Sequence, residues 1–480
     1  MTKIKPQSPV PLPSEERSAP ISSPKGGDVA RPLKVPLEVD ELVSTPPVSV
    51  QGEAVLEEGG SVLNRFLDNL ESLAGSVLGK KFRPGKAIDL MTHFETKDEV
   101  EIERMARSIK TLTRLRRYPM MAHLIGSGGE FDFKTYGSSQ KVALEGLYTR
   151  ESINYLPRIF EGVARLAGTL LDGTSSEARG DAAKWTGVLE TVAECWAWES
   201  HPGQLNDRVF NAKRYGNVPS TMEVVASGWR QPKGHAVGFV YAREGGEDFI
   251  YACNAGDYGD DKRTTVKYSV RDQQLLQKFL DRADWDKESI RTFWSRGPES
   301  SGLKRCPESD QIPLKIERAS QKRGNCPIAF RKSCQLAMLW SLGKERGLSA
   351  KEIKTVYKMT TTLIRTVGVR SALEEGNPEF LGNTLVSMIS KWDRPDCRRL
   401  AFEVADALVE HHGGVALGLN YRAISLTELT SDTYVQHIKT ALDLAGVDLG
   451  GVRVDGVGLV DFAKYSDNTS VVKILRKLGV

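Results

Sequence analysis

No stretch of this 480-residue chain approaches the roughly 18 consecutive apolar residues of a membrane-spanning helix, so no transmembrane segment is expected. The first residues also lack the apolar core of a cleaved secretory signal. Neither sign of charge dominates: 66 Lys and Arg stand against 62 Asp and Glu, a net charge of +4. That balance argues against a nucleic-acid partner gripped mainly through its phosphates. Cysteine is scarce, with six residues at 195, 253, 306, 326, 334 and 397, and no Cys-x-x-Cys. Such spacing excludes a disulfide framework and a zinc ribbon, and fits a reducing compartment. No metal site and no cofactor are expected. Aromatic residues are missing before Phe66.

Proline fills that aromatic-free start. Residues 6 to 47 are crowded with it, mixed with Ser, Thr and Gly. Such a segment buries too little apolar surface to offset its ordering entropy, so residues 1–60 are expected to be a disordered tail. From Ser61 to Arg214 the pattern turns helical. Val62, Phe66, Leu70, Leu73 and Val77 recur at helical spacing, and similar stripes run through Val100 to Leu115, Glu151 to Leu171 and Gly180 to Trp198. Trp185, Trp196 and Trp198 are expected in the core of this helical domain, 61–214. The basic run from Lys110 to Arg117 is expected on a solvated helix face.

Residues 215–345 carry the chemistry-bearing pattern. Ala236 to Tyr241 reads as a strand that follows Gly234-His235, Gly245-Gly246 as a turn, and Asp248 to Cys253 as the partner strand of a hairpin. The partner ends at Cys253-Asn254-Ala255-Gly256-Asp257, so Asn254 or Asp257 comes beside His235 and holds its ring. Register favours Asn254; the better stabilisation of an imidazolium by a carboxylate favours Asp257. Downstream lies Gln321-Lys322-Arg323-Gly324-Asn325-Cys326, followed by Ile328, Ala329, Leu336, Ala337, Leu339 and Trp340 at the spacing of a buried helix. A cysteine at a helix N-terminus is favoured as its thiolate. Proline at 327 suits the first helical turn but offers no N–H to an oxyanion. Gln321 supplies an amide donor instead.

The order His235, Asn254, Gln321, Cys326 resembles the ubiquitin-like-protease superfamily of cysteine peptidases, clan CE. That superfamily also holds the SUMO proteases, adenovirus-type proteases, bacterial effector deubiquitinases and YopJ-type acetyltransferases. The resemblance covers roughly Met222 to Leu342. It implies a papain-like/clan CE α/β unit with His235 as base, Asn254 as orienting residue, Gln321 as oxyanion donor and Cys326 as nucleophile, with Asp257 as the alternative third member. Its implied substrate is the C-terminal isopeptide of ubiquitin or a ubiquitin-like modifier. Acetyl transfer and deamidation through the same cysteine remain open beside it, as does a vestigial site. The proline-rich start resembles the export tail of a type III secretion effector, which implies a bacterial protein acting in the cytoplasm of a host cell.

Gly413, Gly446 and Gly479 are spaced 33 residues apart, each after an apolar helical stretch. Leu426 and Leu459 share that spacing, as do Leu442 and Leu475. A 33-residue period with a closing glycine resembles ankyrin repeats in degenerate form, which implies a concave surface for a host protein in residues 346–480. The fold class expected is α+β, with a helical N-terminal domain, the clan CE-type unit and C-terminal helical repeats.

Overall fold

Ile102, Met105, Ala106 and Ile109 recur at helical spacing and are buried along one side of the first described helix, α1 (Thr96–Lys110). Its outer side carries Glu101–Arg104 and Glu103–Arg107 ion pairs. The computed structural model describes residues 96–112, 114–126, 130–135, 138–143, 149–172, 179–197, 222–229, 235–255, 263–275, 293, 302–316, 326–421, 423–454, 457–465 and 467–480. All fall within one compact unit, residues 73–480. The expected tail at 1–60, the stripe from Val62 to Val77 and Trp198 lie outside the described residues.

Helices α2 (Arg114–Ile125), α3 (Thr149–Asp172) and α4 (Arg179–Ala197) follow. Trp185 and Trp196 are buried, with the Trp196 ring 4.7 Å from that of Phe160. Two features differ from the sequence expectation. A hairpin, β1 (Glu130–Thr135) paired with β2 (Ser138–Ala143), interrupts the helical region. The alternation in Phe131-Asp132-Phe133-Lys134 has the two-residue period of a strand, which a reading at helical period passes over. The basic run is also not simply solvated. Arg117 is half-buried and pairs with Glu375, which accepts a further bond from the Tyr118 hydroxyl at 3.0 Å.

The five-stranded sheet is an antiparallel meander, β3 (Met222–Trp229), β4 (His235–Glu244), β5 (Glu247–Cys253), β6 (Thr265–Val270) and β7 (Leu303–Arg305), in that spatial order. Gly245 and Gly246 turn β4 into β5 with φ of 57° and 88°, the positive values a two-residue hairpin loop requires. Alternation sorts the strands into two apolar faces. Val225, Val237, Phe239, Ile250 and Tyr268 share one with Phe293. Val224, Ala226, Ala236, Val240 and Cys253 share the other with α5 (Cys326–Glu345) and the main core.

That main core extends from Ile102 to Leu478. Helix α6 (Ala350–Glu375) runs through it, opened by a Ser349–Glu352 capping box and closed by Gly376 at φ 65°. Helices α1, α2, α3 and α5 pack against it. Next come α7 (Pro378–Ile389), α8 (Pro395–His411) and α9 (Asp432–Leu444), then a small hairpin of β8 (Arg453–Val454) and β9 (Val457–Gly458), and the helices α10 (Leu459–Tyr465) and α11 (Thr469–Lys477). Gly413, Gly446 and Gly479 each end a helix with positive φ, at 75°, 66° and 93°. The two 33-residue units are not alike. Leu459 opens α10, whereas Leu426 precedes only a 3-10 turn, Glu428–Thr430. The chain before that turn is tied down by the Asp406 carboxylate, which accepts from Leu417 N, Gly418 N, the Tyr421 hydroxyl and His437 Nε2 at 2.7–3.2 Å. The described fold is α+β.

Candidate functional site

β4 begins at His235 and β5 ends at Cys253, which stands opposite Gly238. One residue further, the register brings Asn254 opposite Val237, on the face of the sheet that His235 shares and diagonal to it. The Asn254 N–H donates to Thr264 O at 2.9 Å, so the ladder toward β6 continues past the end of β5 and fixes this residue. His235 Nε2 then lies 2.8 Å from Asn254 Oδ1, and both residues are buried, at 7% and 2% exposure. An amide oxygen only accepts, so with the amide oriented this way the ring donates from Nε2, and the neutral ring has its lone pair on Nδ1. This is the arrangement a Cys-His pair needs from its third member: one nitrogen tethered, the other basic.

The helix that starts at Cys326 is seated against the same strand. Gly238 faces it so closely that a Cβ there would lie 2.5 Å from Phe330 Cδ2 and 2.8 Å from Cys334 Sγ. Seven residues along the helix, Ser341 donates to Glu244 Oε1 at 2.6 Å, six residues along the strand. Strand and helix therefore run in the same direction. Traced back, His235 lies about 10 Å before Gly238 along the strand, and Cys326 about 6 Å before Phe330 along the helix axis. Both starts fall toward one end of the sheet. α5 covers the face that carries Gly238, whereas His235 and Asn254 belong to the other. The side chain of Cys326 and the whole of Gln321 and Asp257 lie outside the described residues. Of the four principal site residues, the described structure brings His235 and Asn254 together.

Strand and helix are locked by a polar cluster at the opposite end of β4. Glu244 accepts from Tyr251 and Ser341 through Oε1, each at 2.6 Å, and pairs with Lys267 through Oε2. The Lys267 ammonium also sits 3.9 Å over the Phe249 ring. Burial, reinforced by the Glu244 charge, holds the Tyr251 hydroxyl well above its ordinary range and keeps it a donor.

Five cysteines, at 195, 253, 306, 334 and 397, are buried and in no disulfide. Burial pushes the thiols of Cys195, Cys306 and Cys397 up, so they stay protonated and unreactive. Among the described residues no group of His, Cys, Asp and Glu is placed to hold a metal ion, and no helix is long and apolar enough to cross a membrane.

Sequence reasoning passed over three residues on β3 and β4. Glu244 reads as a routine charge near a turn. Ser227 and Gly228, opposite Val237 and Ala236, sit inside a strand where a glycine signals close backbone approach. Gly228 has φ of 146°, and a Cβ on it would lie 2.1 Å from the His235 carbonyl oxygen. That Gly in the strand pattern was the available signal. Comparison of the chain with protein-family models, curated proteins and solved structures finds no match in any of the three.

Proposed function

We propose that this chain is a cysteine protease-like hydrolase that cleaves ubiquitin or ubiquitin-like isopeptide bonds, acting as a bacterial effector inside a host cell. The observation that supports it most is the buried bond of His235 Nε2 to Asn254 Oδ1, at the end of the sheet toward which the helix beginning at Cys326 points. In this reading His235 Nδ1 takes the Cys326 thiol proton and the thiolate attacks the isopeptide carbonyl carbon. The oxyanion is held by the Gln321 amide and the Cys326 N–H. The imidazolium returns its proton to the leaving lysine amine, and a water molecule, deprotonated by His235, then hydrolyses the thioester. Asn254 keeps the ring in the required tautomer throughout.

The finer domain plan belongs to the same proposal. Residues 61–214 form a helical domain, 215–345 the clan CE-type unit, and 346–480 degenerate ankyrin-like repeats that bind a host protein. The positive-φ glycines that close α8, α9 and α11 at a 33-residue spacing support the repeat. The proline-rich residues 1–60 support export. Ubiquitin-family activity probes are expected to label the wild-type chain at Cys326 and to spare Cys326→Ala. Folded wild-type protein that no modifier probe labels removes the peptidase reading. A Cys326 acetyl-thioester formed from acetyl-CoA, seen by intact mass, replaces it with acyl transfer.

A further inference from the structure

Two of the three glycines spaced 33 residues apart open onto one cavity. Gly446 and Gly479 line it from the ends of α9 and α11, and a Cβ on either would meet nothing within 4 Å. The cavity holds about 460 Å³, a size that suits a small ligand or a long side chain. Leu442, Leu449 and Leu478 line it as well, and all three are buried. Equivalent positions of two successive units thus place an apolar floor under an open rim.

The polar part of the lining is rich in acceptors. Asp443 lies on the last turn of α9 and Asp448 just beyond it, and both are exposed. Asp448 uses its Oδ1 to accept from the Gly450 N–H at 2.9 Å. Both helices also end here, and a helix C-terminus carries partial negative charge. The cation in the lining is Lys439, one turn before Asp443. Lys477, at the end of α11, is taken up by Asp432 at 2.9 Å. Two carboxylates and two helix C-termini against one ammonium make the cavity complementary to a cation on an apolar stem.

We propose that this cavity binds an arginine side chain of a partner protein. The methylene stem lies on Leu442, Leu449 and Leu478, and the guanidinium meets Asp443 and Asp448. The inference rests on the reading of residues 346–480 as protein-binding repeats, and it names where they bind and what they recognise. Arginine suits the site because its planar fork reaches two carboxylates at once. An acidic residue would be repelled by the same two groups.

Fluorescein-labelled octapeptide pools, with Arg, Leu or Glu fixed at the centre and the other positions randomised, test this by fluorescence anisotropy on the full chain. The Arg pool is expected to bind tightest. Asp443→Asn should weaken it about tenfold, and Lys439→Ala, which removes the competing ammonium, should tighten it. Both side chains are exposed and make no hydrogen bond or ion pair among the described residues, so neither change threatens the fold. An Arg preference that survives Asp443→Asn overturns the site while leaving the repeats as a protein-binding surface. Tightest binding by the Glu or the Leu pool overturns it too, as does binding by no pool. Labelling of Cys326 by modifier probes is independent of these outcomes, so the hydrolase reading stands or falls separately.

Discussion

Ser341 of α5 donates to Glu244 of β4 at 2.6 Å, so the helix that begins at Cys326 is pinned to the strand that begins at His235. The same carboxylate pairs with Lys267 and accepts from Tyr251, which makes it the joint of four elements. Glu244→Ala leaves a buried ammonium unpaired and is expected to cost about 3 kcal/mol. Urea denaturation measures this. A loss no larger than that of an exposed control such as Glu247→Ala would show that the joint does not hold α5 to the sheet.

Gly238 sets how closely the helix approaches. A Cβ there meets Phe330 and Cys334 at under 3 Å, so Gly238→Ala is expected to push α5 off the sheet at a cost of about 1–3 kcal/mol. Gly245→Ala is the comparison: its φ is 57° but its surroundings are open, and only backbone strain of about 1 kcal/mol applies. Thermal melts should rank Gly238→Ala as the worse of the two, and its Cys326 should alkylate more slowly than wild type. The reverse ranking contradicts the seating of α5 on β4.

His123 gives the fold a predictable acid sensitivity. It is fully buried on α2 with both ring nitrogens unpartnered, and burial, with the nearby Arg331 charge, pushes its imidazole down to about 3 from 6.5. The folded state therefore binds fewer protons than the unfolded state between those two values, and stability falls as pH drops from 6.5 toward 3. His123→Leu removes this contribution. Its stability should decline less steeply over that window than that of wild type. Identical slopes in pH-dependent urea melts would argue that His123 is not buried as a neutral ring.

The hairpin and its polar exit were legible because their signals are local. Gly245-Gly246 marks the turn, two-residue alternation marks the strands, and counting back from the turn puts Asn254 beside His235. The helix opening at Cys326 was legible from its apolar spacing. Long-range features were not. Neither the pairing of Arg117 with Glu375 nor the anchoring of Ser341 on Glu244 follows from a periodicity, since each joins residues far apart in sequence. The β1–β2 hairpin was lost to a reading that extended the helical period of its neighbours across Phe131 and Phe133. The different build of the two 33-residue units was hidden as well, because it depends on Asp406 collecting donors from Leu417, Gly418, Tyr421 and His437.

The choice between the two candidates for the third member also becomes an experiment. Asn254→Ala removes the acceptor seen on His235 Nε2 and should reduce Cys326 reactivity more than Asp257→Ala, once both variants are shown to fold. A larger loss in Asp257→Ala reassigns that role and leaves the pairing of His235 with Cys326 in place.

The central claim is that His235 activates Cys326, and the rate of Cys326 alkylation as a function of pH tests it most directly. The other five cysteines are buried, and peptide mapping by mass spectrometry assigns the modified thiol. In wild type, Cys326 should react with iodoacetamide well below the pH of about 8.5 at which a free thiol ionises. In His235→Ala the profile should move up to that ordinary range. Superimposable profiles for the two proteins would contradict the account.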